Sequence, residues 1–159
     1  MNEQKQIKEL LEPLFKLFYK RFIPTSVEMF VQFHKQTLTL NVPDTVVEQL
    51  TDFYKVSNGV PNLDGFIFHG CKGKNLFECW VKKEEIWLGS RDNDILRWKN
   101  GQFCLGDANT LSYSADYEFP TLSGLLEKCF EKWYLGTWKI FMDSNNELDL
   151  RHDKKNASR

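Results

Sequence analysis

The stretch Asp94–Asp107, reading DILRWKNGQFCLGD, decides the fold. Its Asn100-Gly101 pair stands between two apolar runs, and both central positions of a two-residue hairpin turn need positive φ, which Asn and Gly adopt at least strain. Such a turn sets Lys99 opposite Gln102. The two-residue period of a strand then places Trp98 opposite Phe103, Leu96 opposite Leu105 and Asp94 opposite Asp107, all on one face. That face is apolar with an acidic end. Around the hairpin, from Asp64 to Phe119, short apolar runs alternate with turn residues: Phe66-Ile67-Phe68, Ile86-Trp87-Leu88, Ile95 to Trp98 and Phe103 to Leu105. The pattern predicts an antiparallel sheet.

Helical periodicity flanks this region. Ile7, Leu10, Leu11, Leu14, Phe18 and Phe22 make one stripe, and Pro13, which removes a backbone donor, predicts a kink near Glu12 or a helix that begins there. Pro43 opens a second stripe of Val46, Val47, Leu50, Phe53 and Tyr54, closed by Asn58-Gly59. A third follows Pro120, with Thr121 as N-cap and Leu122, Leu125, Leu126, Cys129, Phe130 and Trp133 on one face. Residues 24–41 fit two periods: Met29, Val31 and Phe33 alternate as in a strand, Val27, Phe30 and His34 suit a helix, and the segment leans towards strand at Thr37–Leu40. The elements together predict an α+β fold: one antiparallel sheet with N-terminal, central and C-terminal helices, a single domain over 1–142 and a polar tail over 143–159.

The chain has 159 residues, enough to bury roughly two-thirds of its unfolded surface without metal or disulfide staples. Its 13 Phe and 5 Trp exceed what a disordered chain carries and point to a core, an interface or both. Lys and Arg number 21 against 22 Asp and Glu, so no general attraction to nucleic acid or anionic lipid is expected. The start MNEQKQ lacks the apolar run of a signal peptide, and no stretch approaches the ~18 apolar residues of a membrane span. A cytoplasmic protein is expected. Cys71, Cys79, Cys104 and Cys129 are even in number, which permits disulfides, but a chain of this length with no secretion signal is expected to keep them reduced, and the lack of C-x-x-C spacing disfavours structural zinc.

Opposed Asp94 and Asp107 invite a compensating cation, a shared proton or a metal ion, and such a pair can do acid–base chemistry. A bulge at Gly106 that separates them, or neutralisation by Arg91, gives the same residues a purely structural role. Gly70-Cys71-Lys72-Gly73-Lys74-Asn75 looks like the end of a phosphate loop but lacks the full spacing, the Ser or Thr and a following helical pattern, so a solvated turn is expected. Lys82-Lys83-Glu84-Glu85 also reads as a solvated turn, with its charges cancelling locally. His69, Cys71 and Cys79 match no zinc spacing, and no catalytic Ser or His motif is present. No cofactor and no enzyme activity are expected.

Val42-Pro43, the helix through Phe53-Tyr54 into Ser57-Asn58-Gly59, the run IWLGSRDND over Ile86–Asp94, the ending Leu105-Gly106-Asp107, and Phe119 with the last helix together resemble the SUKH superfamily. That family includes bacterial immunity proteins and fungal cell-wall assembly regulators of the Smi and Knr type. The resemblance covers about residues 40–132, with Val42 where leucine is usual. It implies a helix-decorated antiparallel sheet that binds and neutralises a cognate toxin domain in the producing cell, needing an interface and no catalytic residue. Asp92, Asp94 and Asp107 are then expected to oppose basic residues of the partner, with Trp87 as an aromatic anchor and Trp98 in the core. A regulatory module without a toxin, and a small metal-dependent enzyme using Asp94 and Asp107, stand as alternatives.

Overall fold

A computed structural model of the chain describes residues 2–107 and 117–135. Those residues form five helices and six strands in an α+β arrangement: α1 (Glu3–Leu17), α2 (Val27–Thr39), α3 (Asp44–Val56), β1 (Val60–Leu63), β2 (Phe66–Phe68), α4 (Lys74–Lys83), β3 (Glu85–Arg91), β4 (Asp94–Lys99), β5 (Gln102–Asp107), β6 (Tyr117–Phe119) and α5 (Leu122–Leu135). The strands pair in sequence order, each antiparallel to the next. The chain divides into two compact units, Met1–Glu127 and Lys128–Arg159, with the boundary inside α5. The expected tail over 143–159 lies outside the described residues.

The hairpin around Asn100-Gly101 has the predicted register from Lys99↔Gln102 to Asp94↔Asp107, and its two central residues take φ of 52° and 80°. Ile95 pairs squarely with Gly106, so no bulge separates the aspartates. The irregularity lies one strand earlier: Trp87 pairs with Arg97 and Gly89 with Leu96, leaving Leu88 as the extra residue. A Cβ on Gly89 would overlap the Ile67 carbonyl oxygen of β2. Glycine there allows β2 and β3 to approach.

One sheet face carries Phe66, Phe68, Ile86, Leu96, Trp98, Phe103 and Leu105, all buried. Phe53 of α3 stacks on Phe68 with centroids 3.8 Å apart, and the Tyr54 hydroxyl donates to the His69 carbonyl at 2.7 Å. These contacts dock α3 on β2, each buried aromatic contributing roughly 1.5–3 kcal/mol. Trp98 is core, as expected.

Three readings are corrected. The first helix does not begin at Glu12: Asn2 accepts from the Lys5 amide and α1 runs from Glu3 through Pro13 to Leu17. Pro13 withdraws one donor, while Ile7, Leu11, Leu14 and Phe15, all buried, keep the helix docked on both sides of it. Thr37–Leu40 is not strand but the end of α2. Ser26 caps that helix at the Met29 amide, and the Thr37 and Thr39 hydroxyls donate to the carbonyls of His34 and Lys35 of the preceding turn, while Phe33 and Thr37 are buried. A helix does follow Gly73, against expectation. Leu76 and Phe77 are buried in α4, but a ten-residue helix without a side-chain cap gives little periodic signal.

Candidate functional site

Two turns meet at one end of the sheet. The β3–β4 turn holds Asp92 at φ 53°, and the β1–β2 turn holds Asp64 at φ 50°. The Asp92 amide donates to the Gly65 carbonyl at 2.9 Å, locking the turns together. Asp92 and Asp64 are exposed. Next to them Phe66, Arg91, Asp94 and Asp107 form one cross-strand row. Asp94 and Asp107 are half-buried, and Arg91, directly opposite Asp94, is buried. The register thus sets one cation in the same row as the like-charge pair. Asp64 was missed by the sequence reading, although Asp64-Gly65 between Leu63 and Phe66 is the same kind of turn signal as Asn100-Gly101.

Trp87 does not join this group. It pairs with Arg97, whose side chain lies on the face opposite Asp94 and further along β4. The neighbours of Trp87 are charged. Its indole N–H donates to Glu85 Oε1 at 3.0 Å, the Arg97 guanidinium lies 4.9 Å from the ring centroid and Lys83 Nζ 5.6 Å from it. Glu85 is 1% exposed. Around its carboxylate stand Lys83 Nζ at 3.9 Å, Arg97 Nη1 at 3.7 Å and Lys99 Nζ at 4.0 Å.

The tetrapeptide Lys82–Glu85 is therefore not a solvated turn. Lys82 and Lys83 form the last turn of α4, Glu84 closes it in the left-handed region at φ 52°, and Glu85 opens β3 inward. The local cancellation of charge in the sequence hid this, because the strand register alone turns Glu85 inside. A cleft of about 300 Å³, lined by Glu78, Cys79, Lys82, Lys83 and Trp87, opens beside the cluster.

A third group lies between α2 and α3, where a shallow cleft is lined by His34, Val47, Glu48, Thr51, Asp52 and Lys55. The Thr51 hydroxyl donates to the Val47 carbonyl at 2.7 Å, so it accepts from His34 Nε2 at 3.1 Å and sets that ring's tautomer. Burial pushes the Asp52 carboxyl above its usual range, against the pull of Lys55. Among the described residues no group of three or more His, Cys, Asp and Glu converges to hold a metal ion, His69, Cys71 and Cys79 included. No helix among them is long and apolar enough to cross a membrane.

The residues behind the family resemblance hold structural positions. Pro43 is the N-cap of α3, Phe53 and Tyr54 are core, and Gly89 sits where β2 passes closest. Comparison of the chain with protein-family models, with curated proteins and with solved structures finds no match.

Proposed function

We propose that this chain is a non-catalytic protein-binding module that acts in the cytoplasm by binding and neutralising a toxin domain. The observation that carries the protein-binding reading is the gathering of Asp64, Asp92, Asp94 and Asp107 at one end of the sheet. The chain as a whole is nearly neutral, at -1, so this end is a local electrostatic feature. An enzyme that handles nucleic acid must present cations to phosphate, and an acidic end complements that surface and steers the encounter. The toxin as partner rests on the resemblance of Val42-Pro43, Ser57-Asn58-Gly59, the run Ile86–Asp94 and Leu105-Gly106-Asp107 to SUKH immunity proteins.

The test begins with purification of the tagged chain from its own source and identification of any stoichiometric partner. Association kinetics are then compared between the native chain and the double substitution Asp64→Asn, Asp92→Asn. Asparagine tolerates the left-handed backbone at both positions, so charge changes while the turns stay. The association rate is expected to fall about tenfold at low salt and to lose most of its salt dependence. An unchanged rate with an unchanged salt slope removes the acidic end from the interface.

A further inference from the structure

We propose that the exposed face of α2 pairs with α2 of a second copy of this chain, antiparallel about a two-fold axis. Self-association through α2 needs neither the toxin partner nor the acidic end of the sheet. Val27, Val31 and Leu38 are 79%, 60% and 76% exposed. Their spacing of four and seven residues returns to one side of a helix, so they form a stripe. The opposite side serves the core, where Phe33 and Thr37 are buried. Between Val31 and Leu38 stands His34, half-buried and hydrogen-bonded through Nε2 to Thr51 of α3. Scattered apolar residues on a surface need no partner, but three aliphatic side chains in line on one helix make a seam.

Charge selects the occupant by position. Glu28 and Lys35 are the acid and the base of α2, seven residues apart and therefore on the same flank of the stripe. An axis crossing α2 at the level of Gln32 and Phe33 sets Val27 against Leu38 of the second copy and Val31 against His34 of the second copy, each twice. The same axis brings Glu28 beside Lys35 of the second copy, again twice, so the helix carries its own complement. A parallel pair brings no acid to a base. On the α3 side the neighbouring cleft adds Glu48, Asp52 and Lys55. Acids and bases are mixed there too, so the face selects no partner of a single charge. The contact is small: α2 has 13 residues, about 20 Å of helix, and pairing over that length falls short of the ~800 Å² per partner of a standard interface. A weak dimer is expected.

Sedimentation equilibrium of the full chain at low salt, from about 10 µM to about 1 mM, should show the mass rising from 18.8 kDa towards twice that, with a midpoint of about 100 µM. Val31→Asp buries two carboxylates beside the axis and should weaken association at least about tenfold. Position 31 is exposed in the monomer, so the circular dichroism of that variant should match the native chain. Lys35→Glu sets acid against acid twice and should weaken association about fivefold, as should Glu28→Lys. The double reversal Glu28→Lys, Lys35→Glu should associate more tightly than either single variant, because each new base again meets a new acid. If Glu28→Lys loosens the first turn of α2, Val31→Asp and Lys35→Glu carry the test. A constant monomer mass, or a midpoint unmoved by Val31→Asp, overturns the proposal. A double reversal no tighter than the singles overturns the antiparallel register. If the chain stays monomeric and a protein bound from its source lysate is lost on Val31→Asp, the face belongs to that partner instead.

Discussion

Glu85 shows how much a single buried charge commands. A carboxylate 1% exposed among three cations leaves those cations uncompensated when removed, so Glu85→Ala should destabilise by about 3 kcal/mol or more. Glu85→Gln keeps an acceptor for the Trp87 indole and should lose less; urea denaturation of both variants measures the difference. His69 behaves differently. Burial lowers its imidazole below the usual value, so the unfolded chain takes the proton first as pH falls. Stability is then fully present above about pH 6.5, declines as pH drops towards the lowered folded value, and levels off below it. His69→Gln should flatten that part of the slope, read as urea midpoints from pH 7.5 to 5 against the native chain. The turn at Asn100-Gly101 was legible because its requirement is local, two successive residues at positive φ. The inward position of Glu85 was not, because it depends on which residue of β4 stands opposite.

At the scale of elements, local and distant signals separate in the same helix. Thr121 caps α5 through the Gly124 amide at 3.2 Å, as its sequence announces. The two amides before it are satisfied from elsewhere: Leu122 donates to Gln49 Oε1 of α3 and Ser123 to Glu3 Oε1 of α1, both at 2.7 Å. Glu3→Ala and Gln49→Ala should each destabilise by about 1 kcal/mol, as cap removals do, in thermal or urea melts. Glu3→Gln, which keeps an acceptor and drops the charge, separates hydrogen bonding from the attraction of a carboxylate to a helix N-terminus. The sheet makes a sharper contrast between two glycines. Gly101 faces open space, so Gly101→Ala adds only the strain of positive φ, about 1 kcal/mol. At Gly89 the new methyl would meet the Ile67 carbonyl, so Gly89→Ala must push β2 and β3 apart and is expected to reduce soluble yield strongly. The edge strand β1 carries exposed Pro61, a residue that discourages further pairing at an edge.

Across the whole molecule, charge and thiols are distributed rather than concentrated in one constellation. Asp64, Asp92, Asp94 and Asp107 gather at one end of the sheet, while Lys83, Arg97 and Lys99 surround Glu85 on the face opposite Asp94. The neutral total conceals both groups. All four cysteines are free; Cys71, Cys104 and Cys129 are buried and Cys79 is half-exposed in the cleft. Burial pushes the Cys104 thiol up to about 11 and raises that of Cys79. A disulfide reagent should therefore titrate one thiol in the native chain, slowly at neutral pH and faster as pH rises, and four after denaturation. More than one fast thiol in the folded state contradicts the burial described.

The sequence by itself determined what depends on near neighbours: the sheet runs, the hairpin register down to Asp94 and Asp107, the α3 stripe, and the Thr121 cap. Periodicity and turn chemistry act over a few residues and survive whatever surrounds them. Only the tertiary structure decided that Thr37–Thr39 is helical and that α1 continues through Pro13, because burial of Phe33, Leu11 and Leu14 outweighs local preference. It also decided that Glu85 lies inside, that Trp87 stands apart from the aspartates, and that Asp64 stands with them. Those outcomes follow from strand pairing and a bulge at Leu88, contacts between residues far apart in the chain whose register no local pattern encodes.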